Sequence, residues 1–359
     1  MRAGIIGLGL IGGSIAKALK KHNLCEFLAA FDKNASSLSD AKETGVADEI
    51  STDDLGIFAG CDVVFVCAPV SDIPAYLAKL ESIVGDECLV TDVGSTKEGV
   101  LQAACKFKLN FVGGHPMAGS ERTGFANSSD FLFENAYYII VPDEKKDRKY
   151  AEFLCEIIRA IGAIPIELDA CTHDEITSAI SHTPHVVAAA LANTVRKLDT
   201  GGFMRDIAAG GFKDITRIAS SDSLIWQEIT YENRKNILNT LCSFRKELDE
   251  VAKYLSEGNV TETGAYFRLA KNYRDSLPVS SRVRYDKTYE LYVDVEDKPG
   301  VIAVISTALG VAGVNIKNIG IVNNREYAPG ALQISFGNTD DREKGADILS
   351  KMRYEIYWG

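Results

Sequence analysis

The stretch Gly113-Gly114-His115-Pro116-Met117-Ala118-Gly119-Ser120-Glu121 sets an imidazole among glycines and beside a proline, where few side chains crowd it. It follows the apolar run Asn110-Phe111-Val112, which reads as a strand, so His115 is expected at a strand end. A neutral imidazole with a pKa of about 6.5 suits the removal of a hydroxyl proton. A turn histidine bonded only to backbone is the plainer alternative. Glu121 could orient a substrate or gate access, or be an ordinary surface carboxylate.

Gly7-Leu8-Gly9-Leu10-Ile11-Gly12 fits the pattern GxGxxG, a weak signal alone. Here it follows a strand-like run over 2–6, opens a helix and is trailed by Asp32, the context a dinucleotide requires. Gly7 makes the turn, Gly9 lets the backbone reach a pyrophosphate, and Gly12 allows close packing of helix on strand. The helix start offers its N–H groups to phosphate. Gly7, Gly9, Leu10, Ile11, Gly12 and Asp32 form the expected cofactor-binding set. Asp32 would accept from the adenosine ribose and repel a 2′-phosphate, which favours NAD, while Lys33 leaves room for NADP. A nicotinamide held there would lie near His115, the arrangement of a dehydrogenase.

Three further polar islands stand out. Ser95, in Asp92-Val93-Gly94-Ser95-Thr96-Lys97, could bond a substrate oxygen and an imidazole, or simply cap a helix. Lys213 and Arg217 are four apart, so on a helix they share a face suited to a carboxylate. A salt bridge to Asp214 or Asp222 is the structural alternative, and Trp226 reads as a core aromatic or a pocket wall. His182 and His185, with His173 nearby, lack the HExxH pattern, and Pro184 breaks a simple helical face. No metal site is expected, and a histidine facing substrate or cofactor is preferred.

The elements that must position these groups alternate. Strand candidates at 2–6, 27–31, 63–67, 89–91, 111–112, 137–141 and 164–168 are separated by helical patterns such as 14–21, 73–83 and 151–161. That implies a doubly wound, mostly parallel Rossmann-type sheet over 1–169. Thr172-His173-Asp174-Glu175 fits a capping box opening an all-α segment over 170–283, whose apolar surplus points to packing against a second subunit. Pro278 and Ser280-Ser281-Arg282 read as a linker. Residues 286–359 read strand, helix, strand, strand, helix, strand, a ferredoxin-like βαββαβ arrangement.

Composition narrows the function classes. The 359 residues are 46% hydrophobic and 25% charged, as in globular proteins, and too many for one core. A net charge of −11 argues against nucleic acid or an anionic membrane surface, and means an anionic substrate needs a local basic pocket. Eight scattered cysteines without a CxxC pair look like reduced thiols, and no apolar run is long enough to span a membrane. A cytoplasmic location is expected.

In order along the chain, GLGLIGGS, DVGSTK, GGHPMAGSE, SHTPH and GGFKDITRIA, with Trp226 following, resemble the prephenate dehydrogenase family of tyrosine biosynthesis. The resemblance spans nearly the whole chain. It implies NAD-dependent oxidative decarboxylation of prephenate to 4-hydroxyphenylpyruvate, with aromatisation as the driving force. His115 would accept the ring hydroxyl proton and Ser95 would bond both His115 and that hydroxyl. Arg217 would hold a carboxylate, Asp214 and Trp226 would shape that end with Lys213 nearby, and His185 and Glu121 would line the pocket. It also implies that the helical segment forms a homodimer. Asp297-Lys298-Pro299-Gly300-Val301 and Gly313-Val314-Asn315-Ile316 resemble an ACT domain, which implies tyrosine as feedback inhibitor held near Gly300 and Asn315. Three other readings remain open: an arogenate dehydrogenase, a β-hydroxyacid or imine reductase, and a non-catalytic nucleotide and amino-acid sensor.

Overall fold

Runs such as Val63-Val64-Phe65-Val66 are buried along their whole length, as strands covered on both faces must be. A computed structural model describes residues 1–119, 122–143, 146–277, 289–296, 298–322 and 331–358. The chain forms two compact units, Met1–Ser281 and Arg282–Gly359. The linker and the boundary expected near 283–286 lie outside the described residues, as do Glu121 and Asp297.

The first unit opens with β1 (Arg2–Ile6), α1 (Leu10–Lys21), β2 (Phe27–Phe31), α2 (Ala35–Glu43), β3 (Glu49–Ser51), β4 (Val63–Val66) and α3 (Ile73–Leu80). It continues through β5 (Leu89–Asp92), α4 (Glu98–Ala104), β6 (Asn110–Pro116), β7 (Tyr137–Pro142), α5 (Arg148–Ala160) and β8 (Ile164–Glu167). The sheet order is β3-β2-β1-β4-β5-β6-β7-β8. All neighbours are parallel except β6 and β7, a reversal the sequence reading did not separate from the parallel pattern; it also passed over the short β3.

Strand alternation divides the core between two faces. Val63 and Phe65 join α1 and α5 residues such as Ile15 and Leu154 on one side. Val64 and Val66 join α3 and α4 residues such as Leu77 and Val100 on the other. Helix α1 starts at Leu10, earlier than the glycines suggested, because Gly13 N–H already bonds Gly9 O at 3.0 Å.

The helical part of this unit holds α6 (Ala170–Thr177), α7 (Thr183–Leu198), α8 (Phe203–Asp206), α9 (Gly210–Thr216), α10 (Ser223–Glu232), α11 (Arg234–Ser256) and α12 (Val260–Ser276). The expected capping box at Thr172 is not what opens α6. Asp169 is the N-cap, and its side chain accepts from Thr172 N at 2.9 Å, which frees His173 and Asp174 to face inward. A wider π turn over Ser178–His182 precedes α7, and Pro184 sits in the first turn of α7, where its missing N–H costs nothing.

The second unit runs β9 (Tyr289–Asp294), α13 (Val301–Val311), β10 (Ile316–Val322), β11 (Ala331–Phe336), α14 (Thr339–Lys351) and β12 (Ile356–Trp358). Its antiparallel sheet has the order β10-β11-β9-β12, so the βαββαβ succession expected from sequence is present. Leu291, Val293, Ile305, Leu309, Ile334 and Phe336 form its core.

Candidate active site

The three fingerprint glycines are glycine for three different reasons. Gly7 has φ +92° and a Cβ there would lie 2.3 Å from Cys67 O. A Cβ on Gly12 would lie 1.9 Å from Gly7 O, so helix and turn could not close. Around Gly9 a Cβ would meet nothing within 4 Å: the space before the loop is open. Gly9 is also the N-cap of α1 with no side-chain cap, and no acidic residue stands in the first turn. Free N–H groups, open space and a favourable helix dipole fit a pyrophosphate. Asp32, at the end of β2, ties the loop down by accepting from Leu8 N at 2.5 Å and Asn34 N at 2.7 Å. Each carboxylate oxygen keeps a second lone pair for a ribose hydroxyl.

Beyond the loop, the ends of β5 and β6 are locked by a buried ion pair. Lys97 Nζ lies 2.5 Å from Asp92 Oδ2, and both side chains are fully buried. The same ammonium reaches Gly94 O at 2.8 Å and Thr96 O at 3.1 Å, while Asp92 accepts from Gly94 N and, through its other oxygen, from Gly114 N. A Cβ on Gly114 would stand 2.6 Å from Asp92 O, so only glycine permits this approach. Pairing of β6 with β5 ends at Val112, and residues 113–116 run on past the edge of β5, held by β7. His115 therefore projects from a braced strand rather than a flexible turn.

His115 Nδ1 lies 2.8 Å from His173 Nε2, and His173 Nδ1 lies 2.7 Å from Asp174 Oδ1. Asp174 also accepts from Lys97 N at 2.8 Å and Glu98 N at 3.0 Å, so this residue of α6 caps α4 in the sheet part. His182 Nδ1 meets Asn233 Nδ2 at 3.0 Å, and Asn233 donates to Asp174 O at 2.7 Å. Burial holds His115 well below the usual imidazole range, helped by His173, Lys97 and His182. Burial lowers His173 too, against a partial rise from Asp174, and pushes His182 down to about 4. These are neutral imidazoles at pH 7.

A cavity of about 690 Å³ joins these parts. Its lining runs from Gly9–Gly12 past Ser95 and His115 to His185, Arg217 and Trp226. His185 stacks on Trp226 with ring centroids 3.6 Å apart and planes 21° apart, and its Nδ1 donates to Ser181 O at 3.0 Å. Burial lowers the His185 pKa, and Arg217 adds to that.

Of the residues singled out by sequence, Gly9, Leu10, Ile11, Gly12, Ser95, His115, His185, Arg217 and Trp226 line one cavity. Lys213 and Asp214 do not line it. Helix α9 ends at Thr216 and runs directly into a 3-10 turn that Arg217 opens, and of the two cations only Arg217 lines the cavity. Ser95 shares the cavity with His115, whose Nδ1 is engaged by His173, leaving Nε2 as the nitrogen for the expected bond to Ser95. Sequence reasoning named His173 only as a neighbour of His182 and His185 and read Asp174 as part of a helix cap; it missed their bonded pair, and Asn233. Among the described residues no group of three or more His, Cys, Asp or Glu is placed to hold a metal ion.

Comparison with known proteins agrees with this arrangement. A sequence profile described as the nucleotide-binding domain of prephenate dehydrogenase matches residues 15–167, and one for its dimerization domain matches 169–269. A prephenate dehydrogenase of Bacillus subtilis is 38% identical over 99% of this chain and 97% of its own length. Among solved structures, prephenate dehydrogenase from A. aeolicus in complex with hydroxyphenyl propionate and NAD+ is 31% identical. It has a TM-score of 0.74 and covers 77% of this chain and 99% of its own. An arogenate dehydrogenase of Synechocystis is 28% identical, with a TM-score of 0.69 over 77% of this chain and 99% of its own. A neutral histidine on a braced strand end, facing an open glycine loop and an arginine across one cavity, is thus set in a chain that belongs to the prephenate dehydrogenase family.

Proposed function

We propose that the protein catalyses NAD-dependent oxidative decarboxylation of prephenate to 4-hydroxyphenylpyruvate. The observation that carries this reading is the one cavity in which His115, with its Nδ1 already engaged, faces both the glycine loop and Arg217. NAD, when bound, supplies the hydride acceptor. The loop Gly7–Gly12 holds the pyrophosphate and Asp32 the adenosine ribose, and the carboxylate of Asp32 favours NAD over NADP. His115 Nε2 accepts the ring hydroxyl proton, a step worth about a hundred- to ten-thousand-fold. Ser95, on the same wall, holds that hydroxyl. Arg217 grips a carboxylate of the substrate, and the stacked pair His185–Trp226 forms an apolar wall for the ring. Asp214 and Lys213 are read as shaping the carboxylate end, and Glu121 as a further substrate contact.

Arogenate carries an amine where prephenate has a keto group, and the 28% identical arogenate dehydrogenase keeps it as the second reading. NADH formation with prephenate, arogenate and neither decides. A far higher kcat/KM on arogenate reverses the assignment, and no NADH with either leaves a sensor. Arg217→Ala should raise KM for substrate by about ten- to a hundredfold with a smaller change in kcat, the signature of a lost charge-assisted pair. An unaltered KM removes Arg217 as the clamp.

The C-terminal unit is read as an ACT domain that binds tyrosine at Gly300 and Asn315. Gly300 begins α13 with φ +87°, a conformation suited to a tight ligand-facing turn. Tyrosine inhibition lost on removal of 286–359 supports it. The helical part is read as the homodimer contact, and the eight free thiols fit a reducing cytoplasm.

A further inference from the structure

We propose that Asp174 and His173 form a positioning relay behind His115, which fixes the proton of His115 on Nδ1 and its lone pair on Nε2, towards the cavity. The kinetic part of this inference rests on the dehydrogenase reading above; the tautomer does not.

The argument runs from the carboxylate outward. Asp174 meets three donors: Lys97 N, Glu98 N and His173 Nδ1. It is an acceptor towards all three, so His173 carries its proton on Nδ1. A neutral imidazole has one N–H, which leaves His173 Nε2 as a lone pair. That lone pair faces His115 Nδ1 at 2.8 Å, so His115 Nδ1 is the donor. Only then is His115 Nε2 basic. The carboxylate holds the outer ring, the outer ring holds the inner ring, and neither outer group itself lines the cavity.

The relay also moves charge. As His115 Nε2 takes the hydroxyl proton, the O–H bond breaks and an Nε2–H bond forms. The Nδ1 proton then passes to His173 Nε2, whose Nδ1–H stays on Asp174. The groups facing His115 disfavour a cation: Lys97, His182 and His173 all press its pKa down. The groups facing His173 are mixed: Lys97 opposes a cation, while Asp174 and Asp92 favour one. The positive charge is therefore better placed one ring further out, beside a carboxylate. Asp174 is buried, 3% exposed, so this stabilisation is not spent on water.

The first test needs no substrate. The full-length protein, labelled with 15N-histidine, has five imidazoles to resolve, and His115→Asn identifies the signal of interest. At about pH 7.5, where neutral imidazoles dominate, His115 and His173 should both show the Nδ1–H tautomer. A proton on Nε2 of His115 overturns the proposal, whatever the substrate proves to be. The second test is kinetic. Asp174→Asn removes the negative charge beside His173 and should lower kcat by about tenfold or more, with KM for NAD little changed. His173→Gln keeps an acceptor for His115 Nδ1 and should stay within about tenfold of the parent, whereas His173→Leu should lose about a hundredfold or more. Equal losses in the Gln and Leu variants, or losses confined to KM, overturn the relay. If Asp174→Asn unfolds because it uncaps α4, the tautomers of the unmodified protein still decide. If neither prephenate nor arogenate yields NADH, the functional reading fails and the tautomer result stands alone.

Discussion

The sheet part and the helical part of the first unit bury opposite kinds of side chain. In the sheet part most buried groups are aliphatic or aromatic, the Asp92–Lys97 pair being a charged exception, and whole strands such as β4 vanish into two apolar layers. In the helical part few apolar side chains are buried, Ile229 and Ile237 among them, while His173, Asp174, Thr177, Ser178, His182, Thr183 and Asn233 are inside. Its large apolar groups face outward: Val260 is 83% exposed, Ile207 77% and Leu269 71%. The sheet part carries its stability within its own layers. The helical part spends its interior on a hydrogen-bonded polar cluster behind His115, and leaves its apolar surface for another body to cover.

The sharpest break of that contrast is at His115 itself. His115 stands on the sheet but is tuned from the helices, so His115→Ala should lower kcat by about a hundred- to ten-thousandfold with KM nearly unchanged. Unchanged turnover would remove it from the chemistry. Next comes the apolar interior: Leu28→Ala on β2 should cost about 2–5 kcal/mol in urea denaturation. A loss below that range would mean the sheet part relaxes around voids more readily than its packing suggests.

The polar interior should instead respond to acid. His115, His173 and His182 have folded pKa values below the unfolded value of about 6.5. Below pH 6.5 the unfolded chain therefore binds protons that the folded one refuses. The stability they contribute is complete above about 6.5 and is lost as pH falls towards the folded values. For His182, with a folded value of about 4, the loss is on the order of 3 kcal/mol. Hydrogen exchange at pH 7.5 and 5 should show it first in α6 and α7, and a uniform loss across the sheet would refute the localisation. Smallest of all, Leu269→Ala should shift chain stability by within about 0.5 kcal/mol. Its effect should appear in sedimentation on dilution; a large concentration-independent loss would place Leu269 in an internal core instead.

Much of the sheet part was legible because burial on two faces leaves an unmistakable print. Arg2–Ile6 and Phe27–Phe31 have the ends read from composition alone, and the glycine pattern located the loop. Val301–Val311 was equally plain. The antiparallel β6–β7 pair was not, since an apolar run carries no direction. His115, Ser95 and Arg217 were legible as chemistry-bearing types in sparse surroundings. His173 and Asp174 were not, because an Asp beside a His near a helix start has an adequate local explanation. Only the distant partners, Lys97 N and His115, give the pair its role, and such partners leave no trace in spacing.

One bond described above reaches further than the site. Asp174 grips the first N–H groups of α4, so the carboxylate that steadies the base is also a rivet between the two parts of the first unit. A hinge opening along that seam would pull the rivet and disarm the base in one motion.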